Sequence, residues 1–290
     1  MKIGLKFGCG TVSWRAEDSD DDGILRIIRL RDSVGMDELP DDGTADCRIV
    51  SREVLDRIGG IGVPRHAMRM GFPDGGKSGV MATFCDAISP PEELEITRWR
   101  GVRKLLYLGF VPRMLKGELA MVHGALLEHG GRALLLCGPS GIGKSTTALR
   151  MSRRCRILAD DCFMLERKDG SYRARPLPTW SSYLFNKERL AICDARQCFP
   201  VSQLLILGRQ VARYTPLDPK SALLGCANAF TDMVKWHTMR CPEPMVTALT
   251  ARALDAARRI AEELPCGALQ LTLDCDIFRL LPDFEGENSK

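Results

Sequence analysis

The chain has 290 residues, enough for one large domain or two ordinary ones, and its 45% apolar and 27% charged residues fit a soluble globular protein rather than a disordered one. A net charge of +4, with no block of Lys and Arg, excludes the usual footprint of a nucleic-acid binder and suits an anionic small molecule. No apolar run approaches the roughly 18 residues of a membrane span, and Met1-Lys-Ile-Gly-Leu-Lys-Phe-Gly lacks the pattern of a signal peptide, so no membrane partner and a cytoplasmic location are expected.

Along the chain, the first ninety or so residues are weakly patterned. Acidic stretches at 17–22 and 37–42 and a glycine-rich run at 71–79 read as loops between short strands. Ser89-Pro-Pro-Glu-Glu reads as a linker or helix start, because paired prolines cannot continue a helix and acids favour its first turn. A boundary follows: residues 1–95 form a smaller, strand-rich N-terminal region, with partner binding as a candidate role, and residues 96–290 form the larger domain. Gly101–Leu119 carries Leu105, Leu106, Leu108, Val111 and Leu115 and is expected to be helical, with a kink at Pro112.

From Met121 the pattern becomes that of an α/β domain with a mixed sheet. Met121–Glu128 and Arg132–Cys137 are apolar runs separated by His129-Gly130-Gly131, which signals a hairpin. Pairing Glu128 with Arg132 would set His123 opposite Cys137. A helix is expected over Thr146–Arg154, a strand over Arg156–Ala159, and a second hairpin from Cys162–Arg167 and Tyr172–Arg175 around Lys168-Asp169-Gly170. Then come a strand at Leu204–Leu207, a helix from about Pro219, another over Pro244–Leu264, and a last strand at Ala268–Leu273. The twelve cysteines include no Cys-x-x-Cys pair, and several sit in apolar runs such as Leu134-Leu-Leu-Cys137. They read as reduced, buried thiols, not as a metal or disulfide framework.

Between the second strand and the helix lies Gly138-Pro139-Ser140-Gly141-Ile142-Gly143-Lys144-Ser145, followed by Thr146. It matches the Gly-x₄-Gly-Lys-Ser pattern completely, with a strand before and a helix after. Glycines let the backbone N–H groups wrap an anion, and the helix start adds its positive dipole end. Lys144 is placed to reach the β- and γ-phosphates and Ser145 to give a hydroxyl to Mg²⁺. Sixteen residues on, Asp160-Asp161 closes a strand–helix–strand crossover, so the second strand should run parallel to the first and bring both carboxylates to the same sheet edge. Two carboxylates there can do two jobs, holding the metal and accepting the proton of an attacking hydroxyl. The register argument adds His123 as a catalytic candidate.

Other nucleotide-binding classes lack support. Asn186-Lys-Glu-Arg189 has arginine where a guanine reader needs aspartate, which argues against a GTPase and is compatible with ATP. Neither a Leu-Ser-Gly-Gly-Gln signature nor the His-Arg-Asp and Asp-Phe-Gly set of protein kinases occurs. Arg175, Arg209 and Arg213 are all candidates to stabilise a transferring phosphoryl group, and Trp180 is either a docking aromatic or a core residue.

Together, His123-Gly124, Gly138–Thr146 and Leu158-Ala-Asp-Asp161 resemble the catalytic core of HPr kinase/phosphorylase, over about Met121–Glu166. The resemblance implies a phosphate-loop fold akin to phosphoenolpyruvate carboxykinase and phosphorylation of a serine in a protein substrate. By matching position it implies nucleotide binding at Gly138–Ser145, a catalytic histidine at His123, Asp160 as base and Asp161 near the metal. The family's Glu-x-Arg-Gly-x-Gly segment is absent, as is a recognisable N-terminal domain of that enzyme. Leu105-Leu-Tyr-Leu-Gly before the hairpin and Pro176-Leu-Pro-Thr-Trp-Ser181 after the second one look more like HPr-kinase-related proteins of peptide-modification clusters, such as the SynChlorMet cassette and lasso-peptide kinases. That likeness implies a small protein or precursor peptide as substrate and leaves room for a homo-oligomer. The alternative is a nucleotide-binding switch or ATPase that phosphorylates no peptide.

Overall fold

The computed structural model describes residues 1–17, 28, 31–32, 34–50, 52–57, 59, 61–63, 68–84, 104–177, 194–238, 241–272 and 274–281. The expected linker at 89–93, the boundary at 95/96, and Trp180 lie outside the described residues. The chain divides into two compact units. One comprises Met1–Leu119, Asp194–Arg196 and Val234–Arg252; the other comprises Ala120–Cys193, Gln197–Met233 and Ala253–Lys290.

In the first unit seven strands form one sheet: β1 (Lys2–Phe7), β2 (Gly10–Ala16), β3 (Asp37–Glu38), β4 (Cys47–Ile49), β5 (Ile61–Val63), β6 (Met68–Gly71) and β7 (Val80–Phe84), ordered β3-β1-β2-β4-β7-β6-β5. A short helix, α1 (Arg52–Arg57), follows β4. The second helix, α2 (residues 104–115), runs through Pro112. Its Phe110 ring meets Phe7 and Trp14 edge to face, at 5.9 and 5.4 Å between centroids. Trp14 buries its indole by donating Nε1–H to the Leu105 carbonyl at 2.9 Å, which satisfies the one polar atom of an otherwise apolar ring. Only glycine fits at 109, where a Cβ would lie 2.2 Å from that indole. At the start of α2 the Lys104 ammonium is buried, and burial lowers its pKa to about 8, with Cys241 pulling the other way.

The second unit is built on a nine-stranded mixed sheet. Its strands are β8 (Leu119–His123), β9 (Ala125–His129), β10 (Arg132–Cys137), β11 (Arg156–Ala159), β12 (Cys162–Lys168), β13 (Ser171–Pro176), β14 (Phe199–Gly208), β15 (Arg213–Pro216) and β16 (Cys266–Gln270). The main path is β11-β9-β10-β14-β13-β12-β8, with β16 pairing both β14 and β15. β10 runs parallel to β14, and β14 parallel to β16. Residue alternation sorts the faces. Leu134, Leu136, Leu205, Leu207 and Leu269 meet Ala148 and Met151 of α3 (Lys144–Met151) on one side. Ile206 points the other way, against Gly225 of α4 (Pro219–His237), where a Cβ would stand 2.5 Å from it. A last helix, α5 (Glu243–Glu263), precedes β16. Each fully buried leucine on these faces contributes roughly 1.5–3 kcal/mol. Six of the described cysteines are buried, Cys137 among them.

Several expectations need correction. The run expected as one strand, Met121–Glu128, is two, because Gly124 interrupts it: β8 ends at His123 and β9 begins at Ala125. The first hairpin turns on two residues, with His129 opposite Arg132. Gly130 and Gly131, at φ 55° and 77°, supply the paired positive φ of a type I′ turn. The register therefore slips by one residue, and its pairing ends at Ala125 opposite Leu136. His123 does not oppose Cys137. The expected parallel crossover holds in direction, since β9 is antiparallel to both β10 and β11, but β9 lies between the two. The last strand starts at Cys266, two residues before the expected start. α3 starts two residues before Thr146 and ends at Met151.

Candidate active site

Directly after β10 the backbone turns through Gly138, Gly141 and Gly143, with φ of 146°, 76° and 106°. Other residues are strained at such values, and a Cβ on Gly138 would also lie 3.2 Å from Ile142 and 3.3 Å from the Leu207 carbonyl. Gly143 is the N-cap of α3 and offers no side chain to the helix's leading N–H groups. These groups are thus available to an anion. Pro139, Ser140, Ser145 and Thr146 are exposed along this turn, whereas Lys144 is buried. Lys144 Nζ donates to the carbonyls of Gly138 at 3.0 Å and Pro139 at 3.2 Å. Burial lowers its pKa, while Cys137, Asp161 and Asp232 pull it back up.

Of the three candidate arginines, one reaches this turn. Arg209, the residue after β14, donates from Nη2 to the Gly141 carbonyl at 2.7 Å and from Nε to the Ile142 carbonyl at 3.1 Å. Arg175 is buried 3.6 Å from the Glu166 carboxylate, and Arg213 is exposed on β15.

Asp160 and Asp161 follow β11, and their backbone ties two elements together. Ser145 Oγ lies 3.5 Å from the Asp160 carbonyl oxygen. The Asp161 carbonyl oxygen accepts from Gly124 N–H at 3.0 Å and lies 2.9 Å from His123 Nδ1. A carbonyl can only accept, so Nδ1 carries the proton and neutral His123 keeps its lone pair on Nε2. Burial and the Lys144 charge lower the His123 pKa below its usual 6.5, against the opposing pull of Asp161 and Asp232. The Asp161 carboxylate itself stands 3.5 Å from Nδ1. His123 thus reaches the paired aspartates through the Asp161 carbonyl, not through the expected hairpin register.

The packing role of Gly124 and the residue Asp232 escaped the sequence reading. Gly124 is pressed so close to β10 that a Cβ would lie 2.6 Å from the Leu136 carbonyl oxygen and 2.9 Å from the Phe163 ring. Asp232, on α4, acts electrostatically on both His123 and Lys144. A single acid within Ala229-Phe-Thr-Asp-Met-Val234, beside buried Phe230, Met233 and Val234, was the available signal. Among the described residues no three His, Cys, Asp or Glu side chains form a ready-made metal site.

The fold is therefore α/β, a mixed sheet with helices on both faces, carrying a glycine-rich turn beside paired aspartates and a histidine. Residues 95–279 match the family described as SynChlorMet cassette protein ScmC, and the chain belongs to that family. It is also similar to HPr kinase/phosphorylases. That of Bacillus licheniformis is 30% identical over 121 residues, 38% of this chain and 39% of that protein. That of Bacillus pumilus is 34% identical over 79 residues, 27% of this chain and 26% of that protein. That of Lachnoclostridium phytofermentans is 25% identical over 162 residues, covering 52% and 50%. The chain thus spans about two fifths of the length of the first of these relatives. A solved structure of the Hpr(Ser) kinase/phosphatase from Coxiella burnetii aligns over 58% of this chain and 89% of that one, at 12% identity and a TM-score of 0.31. The family match and the sequence relatives bear out the HPr-kinase-like resemblance. Among the described residues no helix is long and apolar enough to cross a membrane.

Proposed function

We propose that this protein is an ATP- and Mg²⁺-dependent kinase that phosphorylates a serine or threonine hydroxyl on a small protein or precursor peptide. The observation that carries the proposal is the meeting of the turn at Gly138–Ser145 with Asp160, Asp161 and His123. A phosphate donor site and carboxylates able to take a hydroxyl proton then stand together. The sequence relatives bear the name HPr kinase/phosphorylase, which supports phosphoryl transfer to a protein hydroxyl.

In this reading the N–H groups at the start of α3 and the Lys144 ammonium receive the β- and γ-phosphates, Lys144 leaving the carbonyls it now caps. Ser145 and Asp161 hold Mg²⁺. Two protein ligands suffice, since Mg²⁺ commonly completes its shell with substrate phosphates and water. When bound, the ion neutralises charge on the β- and γ-phosphates. Asp160 takes the acceptor's proton as the hydroxyl oxygen bonds to the γ-phosphorus, the bond to the bridging oxygen breaks, and ADP leaves. His123, held by Asp161, fixes the position of that dipeptide. Residues 1–95 serve as the partner-recognition region and residues 96–290 as the kinase domain.

The test is γ-labelled ATP and Mg²⁺ incubated with purified protein and a lysate of its source organism, labelled species being mapped by mass spectrometry. A phosphoserine or phosphothreonine on a small protein or peptide, lost with Asp160→Asn, is the expected result. ATP hydrolysis with no labelled protein or peptide would leave a switch or ATPase, and a labelled free metabolite would refute the substrate class alone.

A further inference from the structure

The first unit holds an open cleft of about 590 Å³, a volume in the range that receives ligands. Its walls come from β1, β2, the loop between β3 and β4, the segment before β7 and the end of α2. They carry four cationic side chains, Lys2, Lys77, Arg113 and Lys116, against two carboxylates, Asp42 and Asp46. The phosphate-transfer reading uses none of these residues.

Both carboxylates are already matched inside the protein. Asp42 Oδ1 accepts from the buried Lys2 ammonium at 2.6 Å, and from Thr44 N–H and Oγ1–H at 2.9 Å each. Those donors hold its carboxyl well below the usual range, so it stays charged. Asp46 Oδ2 accepts from Ser13 N–H at 2.9 Å, while its Oδ1 stands 3.6 Å from Arg113 Nε. Arg113 is a fixed wall, donating to the carbonyls of Cys9 and Thr11, both at 3.2 Å, and to Glu118 at 3.0 Å. Lys77 and Lys116 differ. Both are exposed, and among the described residues neither side chain has an ion-pair or hydrogen-bond partner. The cleft therefore presents two cationic charges that no described side chain matches.

Two ammonium groups on long stems, one before β7 and one after α2, suit an extended ligand bearing two or more carboxylates. A lone phosphate is better served by backbone N–H groups converging on one point. Leu39, Pro40 and Pro112 supply apolar surface for the carbon chain between the charges. We infer that this cleft binds an acidic segment of the peptide or small protein that the kinase phosphorylates, docking it through residues other than its serine or threonine. The substrate role rests on the kinase reading; the acidic character of the ligand does not.

The probe is fluorescein-labelled hexaglutamate, followed by fluorescence anisotropy, with labelled hexaglutamine as control. Wild type should bind hexaglutamate roughly tenfold more tightly than hexaglutamine. Lys77→Glu with Lys116→Glu should weaken binding roughly tenfold or more. Thr11→Trp, which fills the cleft from an exposed position on β2 without changing charge, should weaken it too. Lys168→Glu with Lys220→Glu makes an equal charge change at exposed positions of the other unit and should alter binding by less than about twofold. Thermal melts confirm that each variant is folded. No preference for hexaglutamate, retention in either cleft variant, or an equal loss in the outer one overturns the site. Displacement of the probe by inorganic phosphate as readily as by unlabelled hexaglutamate overturns the peptide assignment. Calorimetry with ATP and Mg²⁺ separates the two readings: a wild type that holds hexaglutamate but no ATP keeps the acidic-segment site and removes the kinase. In the transfer assay, hexaglutamate should raise the apparent KM for the labelled protein or peptide and leave kcat unchanged. Absence of that competition, with hexaglutamate bound, overturns the substrate role.

Discussion

Replacing Gly124 by alanine tests whether the backbone between β8 and β9 sets the site. The new Cβ would stand 2.6 Å from the Leu136 carbonyl oxygen, where ordinary contact begins at 3.4 Å, so something must give by about 0.8 Å. The obstacle is main chain of a central strand, not the end of a flexible side chain. Its stiffness directs the shift into Gly124 itself, whose N–H is bonded to the Asp161 carbonyl. Overpacking of this kind costs about 1–3 kcal/mol, of which the reduced freedom of the unfolded chain returns roughly 0.4–1 kcal/mol. A displacement near 1 Å can also cost about 10²-fold in rate. The chain has only four histidines, so imidazole signals can be assigned by NMR one at a time. Hydrogen bonding to Asp161 pulls the His123 pKa upward, so Gly124→Ala should lower that pKa further, melt earlier and slow phosphoryl transfer. A wild-type melting midpoint together with an unchanged His123 titration would refute the reasoning.

Lys144→Ala should reduce ATP affinity or turnover roughly 10²-fold, since the backbone alone leaves the β- and γ-phosphate charge unmatched; near-normal binding by calorimetry would remove the turn as the nucleotide site. Asp160→Asn should bind ATP normally yet transfer phosphate about 10²-fold more slowly, and full activity in a transfer assay would move the base to Asp161. Asp232→Asn removes a charge that raises the His123 pKa, so the histidine should titrate lower by NMR; no movement would place that carboxylate outside the site. Lys104, with its folded pKa of about 8 below the usual 10.5, makes its folded form most favourable above pH 10.5 and costs stability as pH falls through 8. Lys104→Met should therefore gain about 3 kcal/mol at pH 7 and only about 1 kcal/mol at pH 9.5 in urea unfolding, whereas a pH-independent gain would show that the ammonium is already well solvated.

The turn at Gly138–Ser145 was legible because its residue types are dictated locally: positive φ demands glycine, and the helix start follows within the same eight residues. Asp169-Gly170, at φ 50° and 76°, was legible for the same reason. The break at Gly124 was not, since its cause is the Leu136 carbonyl on another strand, and Met121, Val122, Ala125, Leu126 and Leu127 on either side read as one apolar run. β15 went unseen because Arg213-Tyr-Thr-Pro216 is short and ends in proline, a weak strand signal. The start of β16 was missed because Gly267 has poor strand propensity; it is there because a Cβ would lie 2.1 Å from the Tyr214 ring. Nothing local separates Arg209 from Arg175 and Arg213. Only the parallel pairing of β10 with β14 brings that one beside the turn.

The hold of Arg209 on the Gly141 and Ile142 carbonyls spans 68 and 67 residues of chain, whereas β9, β10, α3 and β11 are consecutive and close on one another. Contacts between near neighbours generally form before those that must close long loops. During synthesis the turn therefore leaves the ribosome well before Arg209, which clasps its Gly141 and Ile142 carbonyls, has been made. By this ordering the glycine-rich turn comes together first within a local hairpin-and-helix unit. It is locked only when β14 docks beside β10, so a chain interrupted before residue 209 carries the motif without the restraint that shapes it.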